Sequence, residues 1–289
     1  MMQDILERFL FEESPVRGEL VQLDTTLAEV LSRHPYPAPL ARLIGELMSA
    51  AALLTATIKL QGALVMQLHG TGAVKLIVVE CSSDMTLRAM ARWDGEVADV
   101  SLAELLGEGK FIITLDPEDG ETYQGVVGFE PGQSVAEIIE NYMRRSEQLE
   151  TRLWLACDSE HAAGLLLQKM PEAAGEADDW ERIQHLAATV TEEELLTLDS
   201  QEVLYRLFHE ETVRLFEPAV PTFACSCSRE RVGGMLRMIG REEIDSVLAE
   251  RGKVEVGCEF CNARYEFDQV DVVQVFSGHG LQDAGPQVH

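Results

Sequence analysis

The chain has 289 residues and carries 50 Asp plus Glu against 23 Lys plus Arg, which gives a formal net charge of −27. Its hydrophobic content of 46% is ordinary for a globular protein and excludes disorder throughout. The negative charge repels phosphate and anionic lipid, so neither a nucleic acid nor a membrane surface is an expected partner. A chain of this length predicts two domains, or one large domain with a smaller one attached.

The N-terminal stretch and the most apolar segment together predict a cytoplasmic protein. Four acidic side chains fall within the first 13 residues, where a secretory signal needs a basic flank followed by an apolar run. Between Glu46 and Lys59 lie 12 uncharged residues, fewer than the roughly 18 that a membrane-spanning helix requires. We therefore interpret this segment as a core helix and expect no membrane anchor.

Residues 1–170 predict an α+β domain. A helix is expected from Pro39 to Lys59, because apolar residues recur there at helical spacing. Runs rich in apolar and β-branched residues, separated by turn residues, predict an antiparallel sheet; they cover 63–70, 73–82, 86–94, 111–116 and 122–130. A helix at 134–148 and two more strands, TRLWLACDS and AAGLLLQKM, follow. Strands grouped together with helices at the ends favour α+β over a doubly wound fold.

Residues 171–222, which we call the acidic segment, predict a metastable helical linker. Residues 171–220 contain 13 acidic and 3 basic residues, a net charge of −10. Three short amphipathic pieces are expected to be helices, and Thr191 with Glu194 has the spacing of a capping box. Such short helices are marginal alone in water, so they must be ordered by docking. A hinge or switch and a permanently packed connector are equally compatible with this pattern.

Residues 223–289 predict a small third domain. Two short helices broken near Gly240 are expected, then a hairpin whose turn carries Cys258 and Cys261. The tail after Phe276 is expected to be loose.

Four of the six cysteines form the main chemical signal. Cys225-Ser-Cys227 is followed, after 30 residues, by Cys258-Glu-Phe-Cys261. Two thiol pairs in a reducing cytosol match the tetrahedral Cys₄ sphere of Zn²⁺ better than they match structural disulfides. Because the surrounding region has little apolar material, metal binding is expected to supply much of its folding free energy.

The spacing also predicts redox chemistry. If an oxidant converts one thiolate to a sulfenic acid, its sequence neighbour can condense with it, giving the disulfides Cys225–Cys227 and Cys258–Cys261. The alternative is a purely structural zinc site. A nucleic-acid-binding ribbon is disfavoured, because residues 225–268 carry 7 basic and 9 acidic residues.

Other chemistry is not indicated. Cys81 and Cys157 lie in apolar strand-like runs and are expected to be buried and unreactive. The sequence contains no Walker loop, nucleophile elbow or dinucleotide fingerprint, so no nucleotide and no catalytic residue is expected.

With these features in view, the chain resembles the redox-regulated chaperones of the thirty-three kilodalton heat-shock protein family. The resemblance spans nearly the whole length, and the distant C-x-C and C-x-x-C pairs are its specific part; it is carried by VRGELV (16–21), LLTATIK (53–59), YQGVVG (123–128), MRRSEQLETRLWL (143–155), EELLTL (193–198), CSCSRER (225–231) and CEFCNARYEF (258–267). It implies an N-terminal substrate-binding domain, a metastable linker and a C-terminal zinc switch. Cys225, Cys227, Cys258 and Cys261 would hold one Zn²⁺ per chain in the reduced state.

The same resemblance implies an ATP-independent holdase and not an enzyme. Oxidation would release the zinc, free the linker and expose a surface for unfolding client proteins, and the oxidised protein would be a homodimer. Two alternatives remain open on the sequence. A thiol-disulfide oxidoreductase would turn over a disulfide substrate, and a constitutive zinc-stabilised adaptor would keep its metal under mild oxidant.

Overall fold

The structure is a computed structural model that describes residues 4–59, 61–128, 130–171 and 178–277. It divides into two compact units, Met1–Ala224 and Cys225–His289. The expected α+β class is confirmed. The predicted loose tail lies outside the described residues from position 278 onward, as do residues 172–177 of the acidic segment.

Helices and strands are interspersed along the chain of the first unit. They are β1 (Ile5–Phe11), β2 (Val16–Leu23), α1 (Thr25–Leu31), α2 (Ala38–Thr57), β3 (Gly62–Gly70), β4 (Val74–Ser82), β5 (Thr86–Trp93), α3 (Leu102–Leu106), β6 (Gly109–Pro117), β7 (Tyr123–Gly128), α4 (Val135–Tyr142), a π-helical turn (Met143–Glu147), β8 (Thr151–Cys157), β9 (Ala162–Lys169), α5 (Asp179–Ala187), α6 (Glu192–Thr197), α7 (Ser200–Phe208), β10 (Val213–Leu215) and β11 (Thr222–Phe223).

Two sheets form the first unit, where the sequence predicted one. The five-stranded sheet has the order β10-β1-β2-β9-β8, and the six-stranded sheet has the order β11-β5-β4-β3-β6-β7. All pairs are antiparallel except β11 with β5. Helix α2 contacts strands of both sheets. It is long and apolar enough to cross a membrane, but 72% of its apolar window is buried inside the protein, so the predicted core helix is confirmed.

The sequence analysis missed β1 and β2 because buried polar residues interrupt their apolar pattern. Glu7 in β1 and Glu19 in β2 are 2% and 3% exposed. Gly18 in β2 weakens the pattern further, yet it is required there. It lies opposite Phe9, and a β-carbon at position 18 would come 2.1 Å from Phe9 Cζ. The sheet therefore needs a glycine where local propensity argues against a strand.

The acidic segment is docked on the five-stranded sheet, as its marginal helices require. Its apolar side chains and those of the sheet form one buried cluster, separate from the central core around α2. From the segment come Ile183, Ala187, Leu195, Leu196, Val203, Leu204, Leu207 and Phe208, and from the sheet come Phe9, Phe11, Val16, Leu20, Ala156, Ala163, Leu165 and Leu167. The predicted capping box is present, because Thr191 Oγ1 accepts from the Glu194 amide.

The second unit contains α8 (Arg229–Ile239), α9 (Arg241–Arg251), β12 (Val254–Gly257), β13 (Arg264–Phe267) and α10 (Gln269–Ser277). The two predicted helices are confirmed, with the break at Gly240, whose φ is +102°. The predicted hairpin is the antiparallel pair β12 and β13. Among the described residues of this unit, 225–277, the core is small and contains nine buried apolar residues: Val232, Leu236, Ile244, Val254, Ala263, Tyr265, Phe267, Val272 and Val275.

Candidate metal centre and the docked acidic segment

The structure brings together the four cysteines that the sequence singled out. Their sulfur atoms all lie within 4.8 Å of one another. The Sγ atoms of Cys225 and Cys258 are 3.7 Å apart, and those of Cys227 and Cys261 are 3.3 Å apart. A tetrahedral ion with metal–sulfur distances of about 2.3 Å separates its ligand atoms by about 3.8 Å. The set therefore fits such an ion and could hold one.

The first cysteine pair precedes α8 in an irregular stretch of chain. Ser228 is the N-cap of this helix, and its hydroxyl oxygen accepts from the Arg231 amide at 3.1 Å. This cap fixes where the helix begins, immediately after Cys227. The C-x-C spacing thus places two thiols on a short segment whose end is held by a helix terminus.

The second pair lies in the turn between β12 and β13. The Cys258 amide donates to the Ala263 carbonyl at 2.9 Å, and the Asn262 amide donates to the Cys258 carbonyl at 2.8 Å. Asn262 has a φ of +58°, a left-handed conformation that asparagine adopts more readily than most residues. The turn folds back tightly enough to direct Cys258 and Cys261 to the same side.

The protonation of the thiols shows why this cluster suits a cation. A hydrogen bond with Cys258 lowers the pKa of Cys225, and the same shared proton raises the pKa of Cys258. Burial raises the pKa of Cys261 to about 11. Without a cation, Cys258 and Cys261 therefore stay protonated near neutral pH. A divalent metal supplies the charge that allows four thiolates to lie together.

Two side chains outside the cysteine set support this arrangement. Tyr265 on β13 donates from its hydroxyl to Cys227 Sγ at 3.1 Å. Arg229 at the start of α8 donates to the Glu266 carbonyl at 2.7 Å and forms an ion pair with Asp271 at 2.7 Å. The Arg229 guanidinium also lies 4.4 Å from the centre of the Phe267 ring. These contacts tie the chain after Cys227 to the hairpin and to α10.

Comparison with known proteins identifies the family. The family model described as Hsp33 protein matches residues 4–268. The chain is 52% identical over 280 residues to the 33 kDa chaperonin of Methylobacillus flagellatus, an alignment that covers 96% of this chain and 95% of that protein. It is also 52% identical over 276 residues to the 33 kDa chaperonin of Chromobacterium violaceum, with 94% of each chain covered. The chain belongs to the Hsp33 family.

A solved Hsp33 structure has the same fold. The crystal structure of the 33 kDa chaperonin from Thermotoga maritima superposes with a TM-score of 0.84 and covers 96% of this chain and 98% of that chain. The sequence identity between the two is 22%. The resemblance stated on sequence motifs is thus confirmed, and this member of the Hsp33 family is an Hsp33-type chaperone.

Tyr265→Phe tests whether the phenol supports the metal centre of this Hsp33 chain. The substitution removes the hydrogen bond to Cys227 and leaves the ring in the core, so the fold should persist. Loss of an outer hydrogen bond to a ligand typically lowers metal affinity about 10–100-fold. We expect a weakening in that range in a zinc competition titration with a chromogenic chelator. Tyr205→Phe, at an exposed tyrosine of the first unit, is the control and should leave the affinity unchanged.

The other two cysteines are buried, as predicted. Cys81 is fully buried and Cys157 is 8% exposed. Burial raises the pKa of each thiol to about 12. Both therefore stay protonated at physiological pH and are poor nucleophiles.

Polar contacts that the sequence did not reveal hold the acidic segment on the sheet. Gln22 of β2 donates from Nε2 to the carbonyls of Leu195 and Leu198, at 3.1 and 2.8 Å. Ser200 at the start of α7 donates to Glu7 Oε1 at 3.5 Å. Buried polar groups need specific partners, so these bonds set the register in which the segment docks. The sequence signal for these contacts is a polar residue within an apolar strand. That signal does not identify the partner, which lies more than 170 residues away along the chain.

A half-buried carboxyl group is expected to make the docking sensitive to pH. Glu46 of α2 and Glu192 of α6 line a cavity of about 920 Å³ together with Arg42 and Cys157. Burial and, to a smaller extent, the nearby Glu192 raise the pKa of Glu46 to about 7, although the positive charge of Arg42 acts in the opposite direction. The folded state therefore binds this proton more tightly than the unfolded state does. The resulting stabilisation is present at low pH and is lost as the pH rises from about 4.5 to about 7.

We expect residues 192–208 to exchange their amide hydrogens faster at pH 7.5 than at pH 5.5, after correction for intrinsic exchange. In Glu46→Gln this pH dependence should shrink, because a neutral side chain occupies the position at every pH. Glu193→Gln, which alters an exposed glutamate of α6, is the control. An unchanged pH profile in Glu46→Gln would assign the effect to other groups, such as Glu19, whose pKa burial also raises to about 7.

Proposed function

We propose that this Hsp33-family chain is a cytoplasmic, redox-regulated, ATP-independent holdase. In the reduced state Cys225, Cys227, Cys258 and Cys261 hold one Zn²⁺. Oxidation joins Cys225 to Cys227 and Cys258 to Cys261, the second unit unfolds, and the acidic segment is released. The apolar surface that the segment and the sheet now bury against each other then binds unfolding client proteins.

The close approach of the four sulfurs carries this proposal. A bound zinc would cross-link the stretch before α8 to the hairpin turn, in a unit whose own core is small. Oxidising the ligands removes that cross-link. The unit follows the acidic segment directly along the chain, because β11 ends at Phe223 and only Ala224 separates it from Cys225.

The redox step balances with peroxide as the oxidant. One thiolate attacks a peroxide oxygen, the O–O bond breaks, and a sulfenic acid and hydroxide form. A second thiolate then attacks the sulfenic sulfur and displaces another hydroxide, so each disulfide transfers two electrons to one peroxide. Two disulfides therefore consume two molecules of peroxide. Protons from the medium convert the hydroxides to water.

The choice of disulfide partners follows from distance along the chain. In the folded structure, sulfur–sulfur contacts join Cys225 to Cys258 and Cys227 to Cys261, across the two pairs. Once the second unit loosens, those contacts separate, whereas Cys225 and Cys227, and likewise Cys258 and Cys261, stay within two or three residues of each other. Mass-spectrometric mapping after oxidation should find the neighbouring pairs.

Aggregation of a thermally unfolding client tests the proposed function. Reduced, zinc-loaded protein should leave light scattering of heated citrate synthase nearly unchanged, and peroxide-treated protein at raised temperature should suppress it without ATP. Zinc release, followed with a metal-binding dye, should accompany the gain of activity. Equal activity in both states would contradict the switch, and retention of zinc under oxidant would favour a constitutive adaptor. Turnover of a disulfide substrate would favour an oxidoreductase.

The proposal includes homodimer formation by the oxidised protein. The apolar faces released from the acidic segment and its sheet would be available to a second copy as well as to clients. Light scattering coupled to size-exclusion chromatography should give the mass of a monomer for the reduced form and of a dimer for the oxidised form.

A further inference from the structure

Strand β7 forms one edge of the six-stranded sheet. It pairs with β6 from Tyr123 opposite Leu115 to Gly128 opposite Lys110. On its other side no strand of the described residues pairs with it. Alternate backbone N–H and C=O groups of an edge strand point away from the sheet, so β7 offers a row of donors and acceptors to an incoming chain.

This edge lacks the features that normally protect an edge strand. Natural edges carry lysines, prolines or bulges, or are very short. The sequence YQGVVG contains no charge and no proline, and its register with β6 is unbroken over six residue pairs. Val126 is 58% exposed and Tyr123 is 49% exposed. The hexapeptide is also one of the motifs on which the family resemblance rests, and the metal centre and the docked segment do not involve it.

The two faces of β7 differ in what an added strand would meet. Val126 lies beside Ile112 of β6, which in turn lies beside Gln67 of β3, so a new strand would continue this row. On the opposite face the Tyr142 ring occupies the space over Gly125, where a β-carbon would come 2.5 Å from Tyr142 Cε2. The open face therefore favours an apolar residue next to Val126.

The charges around β7 distinguish between possible occupants. The strand is uncharged, but acidic residues stand at both of its ends: Asp116, Glu118, Asp119 and Glu121 before it and Glu130 after it. Antiparallel pairing of two copies centred on Gly125 and Val126 would place Glu121 of one copy opposite Glu130 of the other, at each end of the ladder. Like charges in that position are destabilising. By contrast, an apolar segment flanked by basic residues would place a positive charge beside the acidic residues at both ends of β7.

We propose that the outer edge of β7 is a strand-addition site for an extended apolar segment with basic flanks in a non-native polypeptide. The inference deepens the proposed holdase function and rests on it for the class of partner. Backbone pairing suits such a partner, because it requires an extended conformation and little specific sequence. The edge is exposed in a structure in which none of the six cysteines forms a disulfide. It therefore provides a contact before oxidation, and the surface under the acidic segment adds to it afterwards.

The test uses the reduced full-length protein and a short fluorescent peptide of alternating valine and threonine with a lysine at each end. We expect saturable binding by anisotropy and slower amide exchange in residues 123–128 when the peptide is bound. Val126→Lys should weaken binding about tenfold or more, since it places a charge on the edge and repels the lysines. Val126→Thr keeps an uncharged β-forming residue and should bind nearly as well as the wild type. Val100→Lys alters another exposed valine, 43% exposed and outside both β7 and the acidic segment, and should not change binding.

A pair of modified peptides tests backbone pairing directly. Methylating the amide nitrogens along one edge of the peptide should abolish binding, and methylating those along the other edge should leave it intact. Equal binding of both methylated peptides, or no protection of residues 123–128, would overturn the proposal. Protection of these residues that grows with protein concentration in the absence of peptide would assign the edge to a second copy, and would also overturn it.

The peptide experiment does not depend on the redox switch. If oxidised wild-type protein fails to hold citrate synthase while the peptide still binds at β7, the proposed function fails and the edge site stands as a binding site for extended peptides. If oxidised wild type holds the client and oxidised Val126→Lys holds it equally well, the edge takes no part in holding. We expect Val126→Lys to require a severalfold higher protein concentration than Val126→Thr for the same suppression.

Discussion

Replacing Cys258 and Cys261 together by serine is expected to abolish zinc binding and to unfold the second unit. Structural zinc sites in small domains contribute roughly 10–16 kcal/mol of apparent binding free energy. Whole domains are stable by only about 5–15 kcal/mol, and the described part of this unit buries only nine apolar residues. The loss therefore exceeds what the remaining contacts can supply. Metal analysis, together with amide exchange across residues 225–277, measures both effects.

A cysteine variant outside the metal centre provides the control. Cys157→Ala removes a thiol from the first unit and should leave the zinc content at one per chain. Under the proposed function, the double serine variant should also expose the acidic segment to protease and hold clients without oxidant. A double variant that stays folded in residues 225–277 and remains inactive would contradict the coupling between metal and fold.

Phe208→Ala is expected to release the acidic segment and to give holdase activity in the reduced state. Phe208 of α7 is 2% exposed, and its ring centre lies 5.9 Å from that of Phe9 and 5.0 Å from that of Phe11. Truncating a buried phenylalanine to alanine costs about 3–5 kcal/mol. Helices α5, α6 and α7 have 9, 6 and 9 residues and are marginal without docking. The stability lost on truncating Phe208 is large enough to shift most of the acidic segment to the undocked state.

Tyr205→Ala is the matched control, because Tyr205 lies on the same helix and is 71% exposed. It removes an aromatic ring from α7 without opening the cluster. Faster amide exchange in residues 179–208, a full zinc content and suppression of citrate synthase aggregation without oxidant are expected for Phe208→Ala alone. Release of the segment without any gain of holding activity would show that the client surface lies elsewhere in the protein.

Local patterns were sufficient for most strands of the six-stranded sheet and for α8, α9 and the hairpin of the second unit, whereas α10 was not predicted. Each of these strands has its own alternation of apolar and polar residues and its own flanking turn residues. The hairpin and the helix break at Gly240 likewise depend on residues only a few positions away. Strands β10 and β11, with three and two residues, have no such signal. They exist because β1 and β5 offer them an edge, which is a property of the folded chain.

For the candidate site, the sequence alone predicted which four side chains could bind a metal together, because thiols spaced as C-x-C and C-x-x-C are typical metal ligands whatever the fold. Their meeting within 4.8 Å, the phenol of Tyr265 on Cys227 and the contacts of Gln22 with Leu195 and Leu198 were decided only by the tertiary structure. The physical reason is the distance along the chain over which each effect acts. Propensity and spacing act over a few residues, whereas packing joins atoms that are tens to hundreds of positions apart and leaves no periodic trace in the chain.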